Sequence, residues 1–253
     1  MTNALVLAAA PNNGRLAAVS PAPNEALIEI GGKPIIRYIV DALLEAERIN
    51  RIVLLGPAED LSPLFRHEEG VEILDSRGSV TENLLKGCEF LGSNERVLVV
   101  TSDIPLLTGE MVDDFISRCG PDGDFFYPIV RREVCEASYP NVKRTYATVR
   151  EGTFTGGNIF LLNPSVLAKM AETMHKIFKY RKNPVKLCSI LGWGFVLRFL
   201  LRRVTIAELE ARVSELFGVR AVAVETPYVE IGLDVDKPED YKLVVGLLGG
   251  ETA

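Results

Sequence analysis

Histidine is almost missing from this chain: among 253 residues only His67 and His175 carry an imidazole. That excludes a multi-histidine metal centre and leaves Ser-His catalysis few ways to arise. Cysteine is scarce as well. Cys88, Cys119, Cys135 and Cys188 are widely separated and no CxxC pair occurs. A zinc site is therefore not expected, and a reduced, cytoplasmic thiol set is the simplest reading. Positive charge is in deficit: 28 Lys and Arg against 34 Asp and Glu give a net charge of −6. No broad basic surface for nucleic acid follows from that balance. A membrane-length apolar run is absent too. The most apolar stretch, Leu187–Leu201, is too short and too interrupted to span a bilayer. The N-terminus lacks a basic segment ahead of an apolar one, so no signal peptide is expected.

What is present reads as an α/β protein. The hydrophobic fraction of 47% and charged fraction of 25% are those of an ordinary globular chain. Its length suits one large domain or a domain with a subdomain. Ala4–Ala10, Arg51–Gly56, Val71–Leu74 and Val97–Val100 are apolar runs without alternation, the pattern of strands buried on both faces of a parallel sheet. Ala26–Ile30 reads as a short strand before the Gly31-Gly32-Lys33-Pro34 turn. Helices are predicted from Ile35, from Ser79 to Leu91 with Ser79 or Thr81 as cap, and from Thr108 to about Cys119. The order is that of a mostly parallel sheet with crossover helices. Asp124–Val130, Thr145–Val149, Ile159–Leu162 and Ala221–Val224 supply further strands, the second as an edge or antiparallel one. Residues 163–218 form a helical block within a single domain over 1–253. Helices are expected over Val166–Tyr180, over Leu187–Arg203, and from Thr205, with Glu208 completing a capping box. The Leu187–Leu201 helix is expected to be buried, with an interfacial helix, a lipid-tail site or a dimer contact as alternatives.

Asp103 stands out. The strand ends at Thr101-Ser102-Asp103, and Pro105 prevents its continuation. Asp103 thus lies just past the carboxyl end of a buried strand, where open α/β sheets bind ligands. Thr108 serves better as the cap of the next helix, which leaves Asp103 for a functional role. In Leu233-Asp234-Val235-Asp236 the two carboxylates alternate with apolar residues and point to one side. They repel unless a cation or donor lies between them. Asp236 has a second reading as a helix cap with Glu239 as its partner. The loop Pro11–Arg15 is rich in turn formers, and exposed amides in such a loop can cradle phosphates. Gly156-Gly157-Asn158 before a strand suggests close backbone approach, or a plain turn.

Four of these pieces, in order, resemble the MobA-like NTP transferase family of GT-A type nucleotidyltransferases. They are Leu7-Ala8-Ala9-Ala10 with Gly14-Arg15-Leu16, Ala26-Leu27-Ile28-Glu29-Ile30-Gly31-Gly32-Lys33-Pro34-Ile35-Ile36, Val99-Val100-Thr101-Ser102-Asp103-Ile104-Pro105-Leu106-Leu107, and Leu233-Asp234-Val235-Asp236-Lys237-Pro238-Glu239-Asp240. Ser79-Val80 is similar to the base-proximal pair of related cytidylyltransferases. The resemblance implies a Rossmann-like sheet and transfer of a nucleoside monophosphate from an NTP to a small phosphorylated or cofactor-like acceptor, with loss of pyrophosphate. It implies Mg²⁺ on Asp103 and Asp234, with Asp236 as a further candidate. It implies a triphosphate wrapped by Leu7–Ala10, Gly14 and Arg15, a base near Ser79, catalytic cations Arg15 and Lys33, and an acceptor beside Gly156, Gly157 and Asn158. The chain departs from the pattern at Ala10, where the family has glycine, and at Asn24-Glu25, where it has Pro-Lys. At Glu25 an anion stands where a cation meets the phosphates. Lys33, Lys143 or Arg144 could replace it, although each also reads as a solvated surface charge. The alternative is therefore a nucleotide-binding protein with little transferase activity, working through a partner or lipid at the helical block. A homodimer through Trp193–Leu201 and, less favoured, a membrane contact there complete the expectations.

Overall fold

The computed structural model describes residues 1–76, 78–92, 95–180 and 183–249. The chain opens with β1 (Thr2–Leu7), a hairpin of β2 (Glu29–Ile30) and β3 (Lys33–Pro34), α1 (Ile35–Glu45) and β4 (Ile49–Gly56). Then follow α2 (Ala58–Phe65), β5 (Val71–Asp75), α3 (Val80–Leu91), β6 (Val97–Thr101) and α4 (Gly109–Arg118). The second half holds β7 (Phe125–Arg131), α5 (Arg132–Ser138), β8 (Ala147–Val149), β9 (Gly152–Gly156) and β10 (Ile159–Leu162). Four helices come next, α6 (Leu167–Tyr180), α7 (Pro184–Leu191), α8 (Trp193–Leu200) and α9 (Ile206–Phe217), before β11 (Ala221–Glu225) and α10 (Pro238–Leu247).

The sheet runs β5-β4-β1-β6-β10-β7-β9-β8, with β11 beside β7. Its first four strands are parallel, as their uniformly apolar sequences require. Alternate residues serve the two faces. Leu5, Val53, Leu55, Val97 and Val99 pack with Leu84, Cys88 and Leu91 of α3. Ala4, Val6, Leu54, Leu98 and Val100 pack with Ile36, Ile39 and Leu43 of α1 and Phe115 of α4. Each such large side chain contributes about 1.5–3 kcal/mol of burial free energy. The other half is mixed: β10 joins β6 to β7 antiparallel to both, β9 and β8 continue outward antiparallel, and β11 lies parallel to β7.

Several boundaries differ from the sequence reading. The first strand stops at Leu7, not Ala10, because the sheet partners end there; only the Ala8 amide still reaches the Leu55 carbonyl, at 2.7 Å. Glu25–Leu27 is a 3₁₀ turn capped by the Asn24 side chain, so the expected strand shrinks to two residues. Two helices were not anticipated. α2 carries Pro63 inside and buries only Leu61 and Phe65, and α5 buries only Cys135, so neither shows a long apolar stripe. The expected helix over 187–203 is broken by Gly192, whose φ of 88° reverses the chain between α7 and α8. The same segment is not buried: α8 has no buried residue. The capping box at Thr205–Glu208 forms as its spacing predicts; of the two candidate caps of α3, Ser79 is the one used, and Glu82 completes a box there that the sequence reading did not include. Arg181 and Lys182, between α6 and α7, lie outside the described residues.

Candidate active site

Asp103 emerges from the carboxyl end of β6 into a region tied together by backbone bonds. The Thr101 amide donates to the Asn158 carbonyl at 3.1 Å, and the Asn158 amide to the Ile231 carbonyl at 2.9 Å. The Val235 amide donates to the Asp103 carbonyl, also at 2.9 Å. These bonds lay the 231–236 segment across the end of the sheet. Ile231, Leu233 and Val235 are buried, and that alternation aims Asp234 and Asp236 toward Asp103. The three carboxylates bring oxygens within 4.8 Å of one another. Asp236 is not a helix cap. The Asp240 carboxylate instead accepts the backbone amides of Asp236 and Lys237, both at 3.2 Å, and leaves the Asp236 carboxylate to the cluster.

The electrostatics follow from that crowding. Withdrawal from water pushes the Asp103 carboxyl up to about 7, and Asp234 and Asp236 push it the same way, against the hydroxyl of Thr101, which donates to it. Asp234 is raised by partial burial and by Asp236, with the Arg144 guanidinium opposing. Glu25 is also raised, by partial burial first and then by Asp236. The anion that replaces the expected lysine therefore faces the same cluster.

Two cavities flank the carboxylates. One of about 410 Å³ is polar, with Arg15, Lys143, Arg144, Asn158 and Asp234 in its wall. Arg144 is fixed there by the carbonyls of Gly232 and of Gly156, the latter at 3.3 Å. The other, about 970 Å³, has Leu7, Ala9, Ala10, Glu25, Ser79 and Asp103 at one side and continues over Phe160, Met170, Met174 and Phe217. Tyr127 borders both. Asn24 and Glu25 hold the loop after β1 in place: the Asn24 side-chain amide donates to the Ala8 carbonyl and the Glu25 amide to the Ala10 carbonyl, both at 3.0 Å. Gly14 lies opposite the Glu25 carboxylate, which is 3.8 Å from where a Cβ would stand.

The structure brings together Leu7, Ala9, Ala10, Arg15, Ser79, Asp103, Gly156, Asn158, Asp234 and Asp236 around these cavities. It does not bring Lys33. That side chain pairs with Asp41 at 2.5 Å, lies over the Tyr38 ring and borders a separate cavity beside Leu106 and Thr108. Ala8 is fully buried beneath the loop. Gly157 lies behind the wall, where a Cβ would meet Ile231 at 2.7 Å and Pro128 at 2.9 Å. The close approach suggested by the two glycines comes from the protein's own side chains. Tyr127 and Lys237 are cavity residues that the sequence reading did not single out; Lys237 follows Asp236 within the fourth resembling motif, which was its signal, whereas nothing in the local sequence of Tyr127 marks it.

An acidic cluster at the carboxyl edge of a mostly parallel sheet, between a small-residue loop and a cationic cavity, defines a nucleotidyltransferase-type α/β scaffold. The MobA-like NTP transferase domain matches residues 4–191, and the chain belongs to that family. It is similar to a probable molybdenum cofactor guanylyltransferase of Thermococcus kodakarensis, with 32% identity over 96 residues, 36% of this chain and 44% of that protein. The match thus spans less than half of that relative. A hypothetical transferase from Thermus thermophilus is 38% identical, with a TM-score of 0.83 over 95% of this chain and 99% of the other. At 12% identity, a 4-diphosphocytidyl-2C-methyl-D-erythritol synthase from Anaerococcus prevotii shares the fold, with a TM-score of 0.63 over 98% of each chain. The fold and the family are thus those of nucleotidyltransferases.

Proposed function

We propose that the enzyme transfers a nucleoside monophosphate from an NTP to a small anionic acceptor, phosphorylated or cofactor-like, in a Mg²⁺-dependent reaction. The observation that carries this reading is the convergence of Asp103, Asp234 and Asp236 between the two cavities. The triphosphate lies along Leu7, Ala9 and Ala10 with its base toward Ser79. The acceptor enters the cationic cavity beside Arg144, Lys143 and Asn158. An acceptor oxygen attacks the α-phosphorus, the bond to the bridging oxygen breaks, and pyrophosphate leaves with that electron pair.

The carboxylates suit Mg²⁺. Oxygens around that ion are roughly 3–4 Å apart, given metal–oxygen distances of about 2.1 Å, so a small contraction of the cluster would close on it. Three anions crowded at a partly dry sheet edge also repel one another until a cation joins them. Bound Mg²⁺ supplies positive charge against the triphosphate. Arg15, in the same cavity wall as Asp234 and Asp236, orients phosphate oxygens, and Arg144 holds the acceptor's negative charge in place.

Thermal melts with each of the four NTPs and Mg²⁺ test the premise, since a ligand that binds only the native state raises its stability. At least one NTP is expected to raise Tm in a Mg²⁺-dependent way. Asp103→Asn is expected to abolish the Mg²⁺ dependence and to slow pyrophosphate release by about two to three orders of magnitude. Absence of any nucleotide effect on the wild type would refute the reading. Glu25 favours a second reading, nucleotide binding with little turnover, because it sets an anion beside the phosphate loop. Nucleotide stabilisation without pyrophosphate release for any phosphorylated acceptor would establish that alternative.

A further inference from the structure

The chain is acidic, yet residues 173–207 contain eight lysines and arginines and no aspartate or glutamate, which leaves the remainder with a net charge of −14. The same segment carries a run of exposed apolar side chains. Val185 is 63% exposed, Trp193 and Leu197 59% each, Leu200 71% and Leu201 54%. Trp193, Leu197, Leu200 and Leu201 recur at helical spacing and share one face of α8 and its final turn. This face is held outward. Arg212 of α9 donates to the carbonyls of Leu191 at 2.8 Å and Ile190 at 3.1 Å, which fixes the end of α7. Arg198 on α8 pairs with Glu208 of α9 and secures α8 from its other side. Arg202 and Arg203 follow the face directly and are exposed.

Contiguous apolar surface rimmed by charge marks a contact site. Two copies of this chain would bring like charge against like charge in a symmetric interface, which opposes a dimer here. An anionic lipid surface is complementary to both parts: the apolar face enters the headgroup–acyl boundary and the cations meet lipid phosphates. No helix among the described residues is long and apolar enough to cross a membrane, so α8 would lie in the plane of the surface. We propose that the α7–α8 face seats the enzyme peripherally on anionic membranes, through Trp193, Leu197, Leu200 and Leu201 with Lys186, Arg202 and Arg203. This inference stands apart from the nucleotide reading and is tested without nucleotide.

Trp193 is the only tryptophan, so intrinsic fluorescence reports directly on this face. With vesicles of mixed phosphatidylcholine and phosphatidylglycerol, the expected result is a blue-shifted emission and co-sedimentation. Both should weaken by about tenfold with phosphatidylcholine alone or at high salt. Leu197→Glu with Leu200→Glu, and separately Arg202→Glu with Arg203→Glu, should each weaken binding to a similar extent while far-UV circular dichroism stays unchanged. An unshifted emission with no sedimentation on anionic vesicles overturns the proposal. So does a blue shift without vesicles that grows with protein concentration alongside a dimer mass, because a second copy then covers the face.

Discussion

At Asp103 the fold holds a proton that a free aspartate would release. Its carboxyl titrates at about 7 against an ordinary value of 3.8, because it is withdrawn from water and shares its space with Asp234 and Asp236. A native pKa above the unfolded one means that the protonated form favours folding. That contribution is complete below about pH 4 and is lost as pH rises through about 7. Metal-free protein is therefore expected to lose stability between about pH 4 and pH 7 from this group, and Mg²⁺ to restore more of it at the higher pH. Thermal melts with and without Mg²⁺ across that range check the sign; a metal effect larger at the acid end would contradict it. Glu25 poses the opposite question. Glu25→Gln removes an anion that faces the loop after β1, so under the proposed function NTP affinity should rise about fivefold, the factor conferred by about 1 kcal/mol. Titration of the variant with the stabilising NTP gives the answer. At this scale Asp103, Asp234 and Asp236 were legible, because a strand end and an alternating segment show where carboxylates point. Arg144 was legible only as one of three cations that could replace the missing lysine: what fixes it is the carbonyls of Gly156 and Gly232, which lie 12 and 88 residues away in sequence.

Among the elements, the strand interrupted at Gly156–Asn158 does most to shape the site. β9 and β10 both pair with β7, and the residues between them turn aside to reach the end of β6 and the Ile231 carbonyl. At Gly156 a Cβ would stand 2.1 Å from the Tyr127 hydroxyl. Gly156→Ala must displace that ring, which borders both cavities, at a cost of about 1–3 kcal/mol. Denaturant unfolding should register the loss, and KM for the acceptor should rise more than kcat falls. The capping box at Thr205–Glu208 was readable in sequence because both partners lie within one turn. The break at Gly192 was not, because an apolar run on both sides reads as one helix unless the backbone sign at a single glycine is known. Thr205→Ala should destabilise α9 by about 1 kcal/mol, and urea unfolding measures it.

Over the whole molecule, stability is graded. Ala4, Leu5 and Val6 of β1, Val53–Leu55 of β4 and Val97–Val100 of β6 are wholly buried, whereas α8 has no buried residue and only half-buries Phe195, Val196 and Phe199. Amide exchange should accordingly be slowest in these three strands and fast in α8. Protection of α8 comparable to that of β6 in the free protein would show that something covers it. Apolar runs, caps and strand-end carboxylates were determined by the sequence itself, since buried strands, helix starts and the alternation of an extended chain are short-range consequences of residue type. Tertiary structure alone decided which charges meet. It placed Lys33 on Asp41, set Glu25 beside Asp236, locked Arg144 into the wall of the polar cavity and left Trp193 and Leu197 facing outward. These outcomes depend on contacts between distant segments, and a side chain's partner across the fold leaves no periodic trace in the residues around it.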